Sequence, residues 1–322
     1  MSESTSAIER GTRRVLITGG AGYIGGLLGA RLSHRCTVVG TDIRPRTDLG
    51  YDVITMDVRD PALAGLLGER RITHVVHLAS VLESSGDRAR DFDIDVNGTR
   101  NVLASCVAAR VRHLTVSSSG AAYGYHADNP AWIDETAPLR AGERFAYAHH
   151  KRLVEELLAE YRASHPTLQQ LVLRIGTVLG ATTQNQITAL FARRRILAIR
   201  GSDSPFVFIW DDDLVSAIAH GVEGGRTGIF NVAGDGAMTI REIASVLGKP
   251  VLTLPARALE GVLSLARIIG VGRYGPEQVD FLRYRPVLSN RRLKEEFGYR
   301  PAKSSAEAFA FFVECAGVRR TL

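Results

Sequence analysis

Val15-Leu16-Ile17-Thr18-Gly19-Gly20-Ala21-Gly22-Tyr23-Ile24-Gly25 is an aliphatic, partly β-branched run that stops at a glycine cluster and passes at once into an amphipathic segment. That order predicts a strand, a tight turn and the first turn of a helix. Gly19, Gly22 and Gly25 recur at every third position, and each has a physical reason to lack a Cβ. The first permits the turn, the second lets backbone approach a pyrophosphate, and the third lets the helix pack on the strand. Unpaired N–H groups and the macrodipole favour an anion at such a helix start. The stretch therefore predicts a dinucleotide-binding turn.

The alternation continues outward from it. A helix is expected from Tyr23 to about His34, and 36–42 reads as a second buried strand. Residues 53–57 form a third strand, and 61–68 a short helix started by Asp60-Pro61. Residues 73–80 are a fourth strand, 91–109 carry helical periodicity, and 113–117 are a fifth strand. Strands alternating with helices predict an α/β, doubly wound parallel sheet with ligands outside the strand carboxyl ends. Asp42 closes the second strand about twenty residues past the glycine turn, where a carboxylate accepts from ribose hydroxyls and repels a 2′-phosphate. It favours NAD over NADP, while Arg44 and Arg46 just beyond are what a 2′-phosphate would need.

A chain of 322 residues fits one large or two closely joined domains. Cys36, Cys106 and Cys315 are scattered without metal-ligand spacing, which predicts no metal site and free thiols in a reducing compartment, the cytoplasm. No apolar run reaches membrane-spanning length; 261–272 is the nearest, and Arg267 interrupts it. The first twelve residues lack an apolar h-region and read as a frayed start rather than a signal peptide. The net charge of +6 is carried mostly by arginine. Its only dense run, Arg193-Arg194-Arg195, lacks interleaved aromatics and reads as a solvated helix end, so no nucleic-acid partner is expected.

The chemistry follows the fifth strand. That strand runs into Ser117-Ser118-Ser119-Gly120-Ala121-Ala122-Tyr123-Gly124, and Tyr147-Ala148-His149-His150-Lys151 later opens a helix expected to continue to about Ser164. Tyr147 and Lys151 stand four apart, so they share one helix face. A phenol must lose its proton to act as a base, and an adjacent ammonium favours that loss. A serine hydroxyl on the neighbouring strand end can orient the substrate oxygen. His149 and His150 project elsewhere without metal-ligand company and are expected at a surface or interface. Asp211-Asp212-Asp213 is expected to cap a helix starting at Leu214, and Phe206 and Trp210 to pack in a core. Thr239 and Glu242 have capping-box spacing.

Together these residues resemble the extended short-chain dehydrogenases/reductases, and within them the NAD-dependent epimerase/dehydratase group typified by UDP-glucose 4-epimerase. Thr18-Gly19-Gly20-Ala21-Gly22-Tyr23-Ile24-Gly25 is similar to that group's cofactor loop, and the Tyr147–Lys151 spacing matches its catalytic pair. The likeness continues through Phe208-Ile209-Trp210-Asp211-Asp212-Asp213-Leu214, Gly228-Ile229-Phe230-Asn231-Val232, Ser289-Asn290-Arg291-Arg292-Leu293 and Phe297-Gly298-Tyr299-Arg300-Pro301.

The resemblance implies a Rossmann NAD-binding domain over 1–176, to which 206–233 return, and a smaller substrate-capping domain from 177–205 and 234–322. It implies Tyr147 as acid/base, Ser119 positioning the substrate oxygen, and Lys151 holding the nicotinamide ribose while tuning the tyrosine. NAD would be held by Gly19, Gly22, Tyr23, Ile24, Gly25, Asp42, Leu78, Ala79, Ser80, Ser117, Tyr147 and Lys151, with Asp57 and Val58 flanking adenine. Arg283, Arg285, Arg291 and Arg292 would be candidates for a phosphate or carboxylate clamp in the capping domain, and helices over 97–109 and 145–164 would pair in a homodimer.

Three departures bear on the substrate. Gly120-Ala121 replaces the Asp-Glu that follows the catalytic hydroxyl in the dehydratases, which argues against 4,6-dehydration. Thr177 stands where a substrate-contacting Asn is usual, and Asp95 where many members carry Asn before Val-x-Gly-Thr. The expected activity is a nucleotide-sugar or sugar epimerase. A dehydrogenase/reductase of a non-nucleotide alcohol such as a hydroxysteroid or sugar acid, or a non-catalytic NAD-sensing regulator, stays open beside it.

Overall fold

Val15, Leu16 and Ile17 are wholly buried in β1 (Arg14–Thr18), at the centre of a parallel sheet. The computed structural model describes residues 13–83, 85–269 and 275–316. The first twelve residues and part of the apolar run 261–272 lie outside them.

After β1 the chain forms α1 (Tyr23–Leu32), β2 (Thr37–Asp42), β3 (Asp52–Thr55), α2 (Leu63–Glu69) and β4 (His74–His77). It continues through α3 (Arg88–Phe92), a π-helical segment (Asp93–Asn97), α4 (Gly98–Ala108) and β5 (His113–Ser119). A 3₁₀ turn (Gly120–Tyr123) leads on to α5 (Ala146–Ser164) and β6 (Gln169–Ile175). The periodicity over 91–109 thus spans three helical pieces, and the fifth strand runs two residues beyond Ser117.

The seven-stranded sheet has the order β10-β6-β5-β4-β1-β2-β3, with β10 (Gly228–Val232) returning to its far edge. Every pairing in it is parallel. From β1 the order runs outward to β3, then reverses across β1 to β4, so the switch point lies between β1 and β4. Thr18 is level with both Thr41 and His77, and His77 with Val116. The chain beyond β1, β2, β4 and β5 therefore emerges along one edge, where a doubly wound sheet binds ligands.

Strand alternation covers both faces. Val15, Ile17, Val76, Leu171 and Leu173 belong to one apolar cluster; Leu16, Val75, Leu114, Val116 and Val172 belong to the opposite one. Beyond β6 come β7 (Thr177–Leu179), α6 (Gln186–Phe191), β8 (Ile196–Ile199), β9 (Phe208–Trp210) and α7 (Asp211–Gly224). After β10 follow α8 (Ile240–Leu247), β11 (Val251–Leu254), α9 (Ala256–Ile268), α10 (Gln278–Arg283), α11 (Arg291–Glu295) and α12 (Ser305–Cys315). β7 pairs with β9, and β8 with β11. A third cluster buries Phe191, Phe206, Phe208 and Phe309, with Trp210 packed on its flank. Thr239 and Glu242 form the expected capping box, and Arg193-Arg194-Arg195 are exposed in the turn after α6.

The acidic triplet corrects the expectation. The helix begins at Asp211 rather than Leu214, so all three carboxylates lie in its first turn and act as tertiary ties. Asp211 accepts from the Tyr23 hydroxyl and Asp212 pairs with Arg31, both on α1. Asp213 is buried and accepts from the Tyr299 hydroxyl (2.8 Å), Ala302 N–H (2.7 Å) and Lys303 N–H (3.0 Å). Among the described residues no helix is long and apolar enough to cross a membrane, and Cys36, Cys106 and Cys315 are free. Because Asp213→Ala strands a phenol and two backbone donors, it is expected to lower unfolding free energy by about 2–4 kcal/mol. Urea denaturation at an unchanged midpoint would contradict that role.

Candidate functional site

Gly19 turns the chain at φ +71°, and a Cβ there would lie 2.9 Å from Ala79 N in the turn after β4. A Cβ on Gly25 would stand 2.1 Å from the Gly19 carbonyl oxygen, so this glycine is required by the turn itself. Gly22 is the exposed residue preceding α1, without a side-chain cap, and the first turn of α1 carries no acid. The first intrahelical bond runs from Gly26 N–H to Gly22 O, which leaves the N–H groups of Tyr23, Ile24 and Gly25 available at that end. Backbone donors and the helix dipole are thus what this end offers to an anion. Tyr23 contributes backbone there, since its hydroxyl is engaged by Asp211.

The sequence reading missed Tyr51. Its hydroxyl donates to the carbonyls of Gly20 (2.5 Å) and Gly25 (3.0 Å), bracing the turn from behind. Burial pushes this phenol up to about 12, so it stays a donor. A Cβ on Gly29 would overlap its ring, at 2.0 Å, and that fit is the signal a sequence cannot display.

Asp42 ends β2 half-buried, accepting from Ala21 N–H (3.2 Å) and Arg44 N–H (3.0 Å). Arg46 is turned onto Asp48, with Nε at 2.8 Å. Asp57 is held below the usual carboxylate range by the Arg59 guanidinium, whose Nη1 also reaches Asp93 at 2.8 Å. Val58 is buried against Gly98, whose Cβ would lie 2.7 Å from Val58 Cγ2.

Ser117 and Ser119 lie at the end of β5, and Tyr147 and Lys151 at the start of the helix α5 that packs beside it. The buried Lys151 Nζ donates to the Ser117 carbonyl at 2.9 Å and lies 5.6 Å from the centre of the Tyr147 ring. The Ser117 hydroxyl turns away, to the His77 carbonyl (3.2 Å). Ser119 is half-buried and its Oγ accepts from Ala121 N–H (3.2 Å), capping the 3₁₀ turn that packs on α5. Tyr147 is half-exposed at the first turn of α5. One turn past Lys151, buried Glu155 accepts from Ser118 Oγ (2.5 Å) and from Arg174 Nε (3.0 Å) and Nη2 (2.7 Å). Arg174 also donates to the Tyr123 hydroxyl (2.8 Å), which donates to Asn231 Oδ1 (2.9 Å).

One expectation is corrected beside the turn after β4. His150 is buried, not at a surface, and its Nδ1 lies 2.9 Å from Asp95 Oδ2. Asp95 Oδ1 accepts from Ser80 Oγ (2.9 Å) and Val81 N–H (2.8 Å). Asp95 and the Ser80 hydroxyl thus face one another. His149 is half-buried. His77, enclosed between the hydroxyls of Thr18 (2.7 Å) and Thr99 (3.0 Å), is pulled down to about 3 by burial and stays neutral.

The clamp arginines separate. Arg291 and Arg292 pair with Glu295 and Glu296 along α11. Arg283 stacks on Tyr284. Arg285 stacks on Phe206 at 3.6 Å and meets the carbonyls of Ser204, Phe281 and Leu282, while its Nε is without a partner. Tyr125 contacts Phe145, just ahead of α5, and Phe281 of α10, with ring centres 4.6 and 5.3 Å apart. A cleft of about 660 Å³ opens beside the start of α5, lined by Glu143 and Arg144 on one side and by Glu260 and Asp280 on the other. Gly120 packs against the Leu288 side chain, and a Cβ there would meet Leu288 Cδ2 at 2.8 Å, so a larger residue after Ser119 would require that side chain to move. Among the described residues no His/Cys/Asp/Glu group could hold a metal.

A doubly wound parallel sheet with a glycine turn after β1, and Lys151 of α5 tied to the end of β5, is the architecture of the short-chain dehydrogenase/reductase class. Residues 15–233 match the NAD dependent epimerase/dehydratase family, and the chain belongs to it. The UDP-glucose 4-epimerase of Thermus thermophilus, in complex with NAD, is similar at 27% identity and TM-score 0.73, covering 96% of this chain and 100% of that one. The UDP-glucose 4-epimerase of Azospirillum brasilense is 25% identical over 288 residues, 77% of this chain and 79% of the relative. The uncharacterized protein Rv0501 of Mycobacterium tuberculosis is 24% identical over 307 residues, 92% of this chain and 82% of the relative.

Gly25→Ala forces a methyl group onto the Gly19 carbonyl and is expected to weaken NAD binding by about a hundredfold or more in calorimetry. Gly68→Ala, with nothing within 4 Å of the added carbon, is the control and should bind as the parent does.

Proposed function

We propose that this chain is an NAD-dependent epimerase of a nucleotide sugar or sugar, working by hydride exchange at a carbinol carbon. The observation that carries the reading is the buried Lys151 ammonium, fixed to the Ser117 carbonyl at 2.9 Å and set beside the half-exposed Tyr147 ring. The glycine turn fits the pyrophosphate of NAD, because its helix start offers donors and no acid. Asp42 is placed to receive the adenosine ribose, and Arg46, occupied by Asp48, is not free for a 2′-phosphate. Asp57 and Val58 border the adenine side, and Leu78, Ala79 and Ser80 line the turn between the two halves of the cofactor.

Bound NAD supplies an acceptor for hydride at C4 of the nicotinamide and can return it. The protein supplies the proton chemistry. Tyr147 Oη takes the proton from the substrate hydroxyl as its C–H bond breaks, and returns it when the bond re-forms. Lys151 stabilises the phenolate and holds the nicotinamide ribose, while Ser119 Oγ positions the substrate oxygen. Hydride returned to the other face of the ketone gives the epimer, so no net oxidation occurs. Gly120-Ala121 after Ser119 offers no carboxylic acid at that place, which supports epimerisation over elimination of water. Of the proposed clamp arginines, Arg283 and Arg285 are in no ion pair among the described residues, whereas Arg291 and Arg292 pair with Glu295 and Glu296.

A second reading, a dehydrogenase of a non-nucleotide alcohol, is favoured by the aromatic group Tyr125, Phe145 and Phe281 beside the start of α5. The capping unit of 177–205 and 234–322 and a homodimer through α4 and α5 complete the proposal, and equilibrium sedimentation at twice the chain mass would support the dimer.

The test is absorbance in the reduced-nicotinamide band with NAD and, in turn, UDP-glucose, UDP-galactose and free alcohols. A transient signal with a UDP-sugar and no accumulation of NADH is expected. Steady NADH formation from a free alcohol would overturn the epimerase reading in favour of the second. Tyr147→Phe is expected to lower turnover by about 10²–10⁴-fold while NAD still binds; unchanged turnover would remove the tyrosine from the mechanism.

A further inference from the structure

Asp95 and His150 stand 55 positions apart and meet in the interior at 2.9 Å, at a place that joins two parts of the site. Asp95 belongs to the π-helical segment Asp93–Asn97, an inserted turn that carries its carboxylate inward. His150 immediately precedes Lys151 on α5, so the two side chains leave the helix in different directions. The carboxylate is used on both sides: one oxygen takes Ser80 Oγ and Val81 N–H, the other His150. Burial works to raise Asp95, but the bonds from His150, Val81 and Ser80 and the nearby Lys151 charge hold it below the usual carboxylate range. An ionised carboxylate only accepts, so His150 Nδ1 carries the proton it donates. Phe92 packs edge-on against the His150 ring at 5.7 Å and holds it in place.

We propose that Asp95 and His150 are a positioning pair, which fixes the turn Ala79–Val81 to helix α5 and so sets the gap in which the cofactor reaches Tyr147 and Lys151. The pair is bonded to the turn through Ser80 Oγ and Val81 N–H. It acts through the turn on one side and the helix on the other. The inference rests on the proposed placement of NAD against that turn.

Asn and Gln at position 150 separate this role from simple filling of space. The amide nitrogen of Asn can stand where His Nδ1 stands and keep the bond to Asp95; that of Gln reaches the Nε2 position and loses it. The full-length chain would be titrated with NAD by calorimetry, below the melting temperature of each variant. His150→Asn is expected within about threefold of the parent affinity, and His150→Gln about tenfold weaker. Asp95→Asn, which keeps one acceptor for the turn and can meet the other His150 tautomer, is expected to stay close to His150→Asn. Equal affinities in the parent and His150→Gln would overturn the positioning role. Equal losses in His150→Asn and His150→Gln would overturn it too, by assigning the effect to the ring's packing. A parent chain that does not bind NAD would instead overturn the cofactor reading beneath it.

Discussion

A lysine ammonium taken out of water must find partners, and the partner of Lys151 decides how helix α5 sits on the sheet. Its Nζ is tied to the Ser117 carbonyl, and one helical turn later Glu155 accepts from Ser118 Oγ. Two successive residues of β5 are thus gripped by two positions four apart on α5, which fixes the rotation and the height of that helix together. Glu155 is in turn neutralised by the two-pronged Arg174 from β6, because a buried carboxylate without such a partner costs several kcal/mol. Tyr147, four residues before Lys151, is placed by the same grip. Its position beside the end of β5 follows from ties made further along the helix.

The cofactor side depends on close approach in place of charge. Gly19, Gly20 and Gly25 leave gaps that neighbouring backbone fills, and Gly20 lies so near Gly40 that a Cβ would come within 2.8 Å of its Cα. Tyr51 closes the far side by donating to two carbonyls of the turn. A rigid loop of outward N–H groups at a helix start then needs no basic side chain to hold phosphate. Several arginines are tied elsewhere in the fold: Arg31, Arg35, Arg59 and Arg140 are in ion pairs.

Local pattern was legible in the sequence, and distant pairing was not. The glycine turn, the strand–helix alternation and the Tyr147–Lys151 spacing are short-range signals, and the sheet and the placing of Lys151 beside Tyr147 on one helix face could be read from them. The buried Asp95–His150 pair could not, since its partners lie on different elements and each alone looks like a surface residue. The π-helical insertion at Asp93–Asn97 leaves the apolar periodicity of 91–109 intact, which hid it. Asp211-Asp212-Asp213 misled for a related reason. Acids at a helix start ordinarily satisfy its dipole, and only the fold reveals that Tyr23, Arg31 and Tyr299 converge on them. The i, i+4 step from Lys151 to Glu155 was the one available hint of the wider network.

The departures from the family pattern also change meaning in three dimensions. Asp95, read in the sequence as a departure bearing on the substrate, is engaged by Ser80 and His150 in the interior. On the proposed function, hydride leaves the carbinol carbon and returns to it without entering water. The most direct measurement is mass spectrometry of products from a UDP-sugar carrying deuterium at the carbon that inverts. Retention of deuterium in the epimer made in ordinary water is the predicted result. Loss of that label to solvent would contradict the account, because it would mean that a proton, not a hydride, is removed.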